Sequence, residues 1–299
     1  MPPESLEALR EAGQIASAAR NWGARRVVAG ARLREVCEGV EDEIRRRGAG
    51  LAFPAQSSRN EIAAHYCASP EDDTVYADGD LAKLDIGVHV DGWVVDTATT
   101  VSVGDRPELR PILEAARAAL EAAIAAVSAG VPVRRISATI ETTIASYGLR
   151  PMRNLCGHGV GRWTVHGPPP IPNVADDSLS RLWAGSVVAI EPFATDGMGL
   201  VAEEGEPQVF RLDPGHAVAA RPGAAGEALA AIQAFRGLPF ARRQLAAFTR
   251  DVVEGLLDEL LAEGALHGYA PLVEASHRPV AQAEHTLFVG TEGVEVLTR

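Results

Sequence analysis

Apolar positions recur along this chain with two periods, and the places where the period changes divide it. Over residues 4–26, Leu6, Leu9, Gly13 and Ala16 lie on one helical stripe, and Leu33, Val36, Val40 and Ile44 form a second that stops at Gly48. Short strands are predicted around residues 51–53 and 60–65. Between residues 83 and 103 the period falls to two. There β-branched runs flank Asp91-Gly92, which predicts a hairpin with a two-residue turn at positive φ. Pairing Val90 with Trp93 puts Asp85 opposite Ala98, so Asp96 becomes the diagonal neighbour of Asp85 on the same face.

Helical texture returns over residues 108–126, and Val133, Ile136, Ile140 and Ile144 make a stripe ending at Gly148. These stripes expose an internal repeat. Gly30, Leu33, Arg34, Val36, Val40, Glu41, Ile44 and Gly48 recur 100 residues later as Gly130, Val133, Arg134, Ile136, Ile140, Glu141, Ile144 and Gly148. Two α/β halves related by pseudo-twofold symmetry around a central cleft are therefore expected. The second half continues through a glycine-rich stretch at 154–161, a strand at 163–166, a proline-rich loop at 167–172 and an apolar strand at 186–193. Residues 207–267 change texture, with Val253, Leu256, Leu257, Leu260 and Leu261 on one stripe. They are expected to form an inserted helical subdomain, leaving 1–206 and 268–299 as the catalytic domain. Strand character resumes at Tyr269 and over 281–289.

At 299 residues, 46% hydrophobic and 23% charged, the chain has ample material for one large domain with an insertion. A net charge of −12 without a Lys/Arg cluster argues against a phosphate-backbone binder, so no nucleic-acid partner is expected. Cys37, Cys67 and Cys156 form no Cys-x-x-Cys pair and are expected as buried thiols in a reducing compartment. The amino terminus leads into the first helix with no basic-then-apolar segment, and no run is long enough to span a bilayer. A cytoplasmic location without a membrane partner follows as the expectation.

An acid in a strand of Leu, Ile and Val loses hydration, which is costly unless a cation or donors compensate. Asp85 and Asp96 share such a face. Taken alone they could be a turn or edge residue and a partner of Arg or Lys. The rest of the chain adds Glu191 and Glu284, each on an otherwise apolar strand, and His158 within Gly157-His-Gly-Val-Gly161. That glycine run lacks the Lys-Ser/Thr end of a phosphate loop and the spacing of a dinucleotide turn; its glycines let backbone crowd around the histidine. A lone histidine is more often a core residue than a ligand. Four carboxylates and one imidazole, however, are the set that two hard-to-borderline divalent cations need, with the ions roughly 3.5–4 Å apart. Ion pairing would need a separate cation for each acid, and no Lys or Arg adjoins Glu191 or Glu284.

Over nearly its whole length the sequence resembles the type II methionine aminopeptidases of the short archaeal kind. The resemblance rests on Phe53-Pro54, Asn60-Glu-Ile-Ala-Ala-His-Tyr66, Lys83-Leu-Asp-Ile-Gly-Val-His89, Asp96-Thr-Ala98, Gly157-His158, Ile190-Glu-Pro-Phe-Ala-Thr195, Glu284-His-Thr286 and Leu297-Thr-Arg299. Gly157-His-Gly159 alone marks only the wider superfamily. The resemblance implies an α/β (α+β) pita-bread fold, two pseudo-twofold-related halves around a central antiparallel sheet. It implies two divalent ions (Co, Mn, Fe or Zn) held by Asp85, Asp96, His158, Glu191 and Glu284. The implied reaction removes the initiator methionine from nascent proteins and peptides, preferentially when the second residue is small, by a metal-activated hydroxide. In it Glu191 shuttles the proton, His166 donates to the developing oxyanion, and His65 contacts the scissile amide nitrogen. Phe53, Val165, His166 and Tyr269 lie where the family builds its methionine pocket. The partners implied are nascent polypeptide N-termini, met by a monomer, with transient ribosome association compatible with that activity. Cys67, where Thr is usual, Cys156 before Gly-His, and Pro168-Pro-Pro170 depart from the family pattern on the substrate side and leave the ligand set untouched.

Two other readings stand beside this one. An Xaa-Pro aminopeptidase or dipeptidase would use a similar ligand set, but usually with an extra amino-terminal domain and a different signature around the second histidine. A non-catalytic ribosome- or RNA-binding homologue would be expected to lose ligands and gain basic patches. Residues 238–263 invite a helix-turn-helix reading with Arg242 and Arg243 on phosphates, which Asp251, Glu254, Asp258, Glu259 and Glu263 oppose. No role is assigned to His89, expected on the strand surface, to His285, expected on the face opposite Glu284, or to His216, His267 and His277.

Overall fold

The hairpin forms as its alternation predicts, at the centre of the structure, a computed structural model that describes residues 3–299. Residues 1 and 2, which the first domain boundary includes, lie outside the described residues. Leu81–Val90 and Trp93–Ser102 pair with Val90 opposite Trp93 and Asp85 opposite Ala98. Asp91 and Gly92 make the turn at φ 50° and 85°. Gly50–Arg59 adds to the first hairpin strand and is longer than the residue pattern suggests. Two register irregularities, at Leu51/Phe53 and Phe53/Gln56, break the alternation that would have revealed its length.

A second, five-stranded antiparallel sheet runs in the order Val294–Val296, His285–Val289, Val187–Ile190, Cys156–Gly161, Thr164–Pro172. It joins the first sheet where His285–Val289 meets Trp93–Ser102. Asp96 N–H donates to Thr286 Oγ1 at 2.7 Å, that hydroxyl donates to Asp96 O at 2.8 Å, and Glu284 N–H donates to Ala98 O at 3.1 Å. The expected proline-rich loop at 167–172 is instead part of the edge strand. Proline lacks an N–H but is tolerated on an edge, where the ladder needs donors on one side only.

Helices α1 (Pro3–Ala24) and α2 (Leu33–Arg46) pack on the hairpin, with Leu9, Ala16, Val40 and Ile44 against Leu84, Ile86 and Val88. By strand alternation Asp85 faces the other way. Helices α3 (Arg110–Ala126) and α4 (Val133–Ser146) cover the second half, with Ile136, Ile140 and Ile144 in one core with Val188, Ile190 and Leu287. The repeat is structural down to its hydrogen bonds. Gly30 N–H donates to Tyr76 O and Gly130 N–H to Leu182 O, at φ 84° and 83°. Leu33 N–H donates to Thr74 O and Val133 N–H to Ser180 O.

Residues 207–267 contain helices α5 (Gly223–Gln233) and α6 (Arg250–Ala262), which share a core of Phe210, Leu229, Ile232, Phe240, Leu256, Leu257 and Leu260. They also contain most of a three-stranded sheet, Phe240–Ala241, Val209–Leu212 and Leu266–Tyr269, whose strands are too short to show a period. Leu261 is exposed rather than on the buried stripe. Neither arginine of the helix-turn-helix reading is free for phosphate. Arg242 pairs with Glu254, and Arg243 is buried against Glu41. Among the described residues no helix is long and apolar enough to cross a membrane.

Candidate functional site

The two glutamates sit where a pair of strands bends together. Val187–Ile190 and Phe193–Thr195 flank Glu191-Pro192, while His285–Val289 and Val280–Gln282 flank Ala283-Glu284. The partners pair on both sides of the bend, Ile190 with His285 and Phe193 with Gln282. Each strand thus leaves the five-stranded sheet at its acid and enters a small sheet beyond it. Pro192, without an N–H, helps to interrupt the ladder at that point.

His158 reaches these acids because its neighbours are glycines. A Cβ on Gly157 would collide with the carbonyl oxygen of Ala189, and one on Gly159 with that of Pro168. His158 Nε2 lies 3.6 Å from Asp96 Oδ2 and 3.7 Å from Glu191 Oε1. Asp96, His158 and Glu284 offer donor atoms within 4.8 Å of one another. Asp85 joins them through Gln282, whose Nε2 lies 3.4 Å from Asp85 Oδ2, 3.3 Å from Glu191 Oε2 and 3.4 Å from Glu284 Oε2. The structure therefore brings all five residues together.

Burial lifts the Asp85 carboxyl to about 6. Burial first, then repulsion from the neighbouring acids, holds Asp96, Glu191 and Glu284 well above the ordinary carboxylate range. Among the described residues no Lys or Arg is ion-paired with any of the four; the basic group beside them is the imidazole of His158, which burial keeps neutral. Asp85 Oδ1, Asp96 Oδ1 and Glu284 Oε1 are buried without a hydrogen-bond partner. Orphaned carboxylate oxygens beside an imidazole are a donor set that fits divalent cations.

A cavity of about 480 Å³ opens over this cluster. Asp85, Asp96, His158 and Glu191 line its polar side, and Phe53, Val165, Phe193 and Leu272 line its apolar side. His65, His166 and Tyr269 stand on the wall between. The His65 and Tyr269 rings meet edge-on at 5.5 Å, and His166 lies 4.6 Å from His158 and 6.2 Å from Tyr269. Burial pushes His65 down to about 4 and His158 to about 3, and lowers His166 as well. His65 holds φ at 67°, a strained backbone for a non-glycine residue that costs on the order of 1–3 kcal/mol.

Sequence reasoning missed Gln282, although it lies two residues before Glu284 on an apolar strand and so on the same face. It also missed Gln56 and the Val209 and Pro239 side chains that residues 207–267 contribute to the cavity. His267, given no role, packs on Tyr269 at 4.6 Å. Cys37 and Cys67 are buried, but Cys156 is exposed and lines the cavity, because alternation puts it on the face of His158. His89 is half-buried against Trp163 at 4.9 Å, not open on the strand surface. His285 turns from the cluster to Thr298.

Residues 7–233 match the profile of metallopeptidase family M24. A methionine aminopeptidase of Archaeoglobus fulgidus is 41% identical over 300 residues, covering 100% of both chains. Among solved structures, a methionine aminopeptidase from Thermotoga maritima superposes with a TM-score of 0.73 at 22% identity, covering 100% of this chain and 98% of that one. A thermophilic Arx1 superposes at 0.85 with 16% identity, covering 99% and 91%. At such identities these two structures speak to the fold alone.

Proposed function

The chain belongs to metallopeptidase family M24, with its pita-bread fold, and from that premise we propose that it is a methionine aminopeptidase, a metallo-exopeptidase that removes the initiator methionine from protein N-termini. The observation that carries the reading is the two-sided cavity, an unpaired cluster of acids facing an apolar wall. Asp85, Asp96, His158, Glu191 and Glu284 would hold two divalent ions, Co, Mn, Fe or Zn. Such ions supply a low-pKa water and Lewis-acid polarisation of a carbonyl.

The remaining work falls to the side chains. Glu191 lines the cavity beside His158 and is suited to take a proton from the attacking water and return it to the leaving amine. His166 is neutral at working pH and keeps one ring N–H, which donates to the oxyanion as it develops. His65, neutral for the same reason, faces the scissile amide nitrogen. Phe53, Val165 and Tyr269 form an apolar slot for an unbranched thioether, and the residue after methionine must be small. Residues 207–267 serve as a subdomain inserted between 1–206 and 268–299. The enzyme acts as a cytoplasmic monomer on nascent chains, and any ribosome contact is transient.

Incubation with Met-Ala-Ser and with Xaa-Pro peptides, each divalent metal being supplied in turn, tests the reading. Release of methionine from Met-Ala-Ser supports it. Preference for Xaa-Pro substrates, or no turnover with any metal, overturns it.

A further inference from the structure

Two walls of the cavity come from different parts of the chain. Phe53 and Gln56 stand on Gly50–Arg59, whereas Val209 and Pro239 belong to the 207–267 unit. Behind the cavity Arg243 joins the two. It is buried, and its Nη2 donates to Glu41 Oε1 at 2.6 Å and to Ala55 O at 3.2 Å. Glu41, buried on α2, accepts Ala55 N–H on the same oxygen at 3.0 Å. The pair thus fixes both backbone polar groups of Ala55, two residues from Phe53 and one from Gln56.

On its own side Arg243 follows Phe240–Ala241, where Ala241 pairs with Val209 and Val209 with Tyr269. Leu238 packs in one cluster with Phe53 and Val165. The sequence repeat shows what was added. Glu141, the counterpart of Glu41, likewise accepts a backbone N–H, that of Ala175 at 3.0 Å, but among the described residues it has no arginine partner.

We propose that Arg243 and Glu41 are positioning residues that set the width of the methionine cavity by seating the 207–267 unit against the Phe53 strand. The proposal rests on reading that cavity as the methionine pocket. Neither side chain lines the cavity, so both act through the walls. A close-packed interior transmits a wall displacement instead of absorbing it.

The test uses the full-length, metal-loaded enzyme. Arg243→Met with Glu41→Gln removes both charges together, so no unpaired buried charge remains to unfold the chain. Metal content and Tm check that the variant is loaded and folded. KM for Met-Ala-Ser should rise about tenfold and the preference for Met-Ala-Ser over Leu-Ala-Ser should fall about tenfold, on the scale of one methylene in a hydrophobic pocket. Turnover at saturation should stay within about twofold, since the reacting groups are untouched. Arg243→Lys keeps the charge, but its shorter side chain cannot bring a donor to where Nη2 serves both Glu41 and Ala55, so it should give a smaller rise in KM. A folded double variant with unchanged KM and unchanged preference overturns the proposal; should it not fold, an unchanged KM in Arg243→Lys does so. Wild-type enzyme inactive on Met-Ala-Ser would instead overturn the functional reading.

Discussion

Replacing Asp85 by Asn should stabilise the protein in chelator and handicap it in metal. Burial raises the Asp85 carboxyl from its ordinary 3.8 to about 6. Between those values the folded state keeps a proton that the unfolded chain has released, so stability falls as pH rises through the window. Below it the carboxyl is neutral in both states and the penalty vanishes; above it the penalty is complete. At about 1.36 kcal/mol per tenfold, a rise of this kind is worth on the order of a few kcal/mol, shared with the acids that titrate alongside Asp85. Asn has nearly the same shape without the charge. In EDTA the variant should match wild type at about pH 3, below the window, and exceed it by a few kcal/mol at about pH 8. Manganese at about 100 times its Kd should stabilise wild type by about 2.7 kcal/mol. The variant, short of one anionic ligand, should gain less. Urea melts at three pH values, with EDTA or manganese, read both effects. Parallel pH curves in EDTA, or equal gains from metal, would refute Asp85 as a buried metal-binding carboxylate.

Other substitutions separate holding metal from using it. His65→Ala and His166→Ala should keep full metal yet lose turnover by on the order of 10²–10⁴, whereas Asp96→Asn and Glu284→Gln should lose metal first. Metal content measured beside turnover decides; full metal with a near-normal rate removes the histidine's role. Gln282→Leu takes the shared amide from three carboxylates and should weaken metal binding about 10–100-fold by calorimetry, so an unchanged Kd counts against its orienting function. Met-Ala and Met-Gly peptides should be cleaved faster than Met-Lys and Met-Leu, and equal rates would discard the small-second-residue pocket.

What could be read in the sequence was what chain neighbours determine. The hairpin register followed from Asp91-Gly92 and a period of two, and it put Asp85 and Asp96 on one face as the structure does. The repeat was legible because each copy keeps its glycines at positive φ and its own helical stripe. The proline edge strand, the small sheet in 207–267 and the Arg243–Glu41 tie, 202 residues apart, were not legible, since each depends on a partner that no local pattern names. The acids of the site are the instructive exception. They too meet across long separations, yet they were found, because a carboxylate on an apolar strand cannot stay buried without a compensating charge somewhere. That obligation points to a partner before its position is known. Gln282 carries no charge and therefore no such obligation, so an amide touching three of the four carboxylates went unnoticed two residues from Glu284. Cys156 escaped for the same reason, since a small neutral thiol is at home in a core or at a cavity mouth, and only the strand's facing decides between them. Charge in an apolar setting thus exposes the groups that would hold the ions, while the neutral groups that aim those ligands and shape the pocket become visible only through geometry.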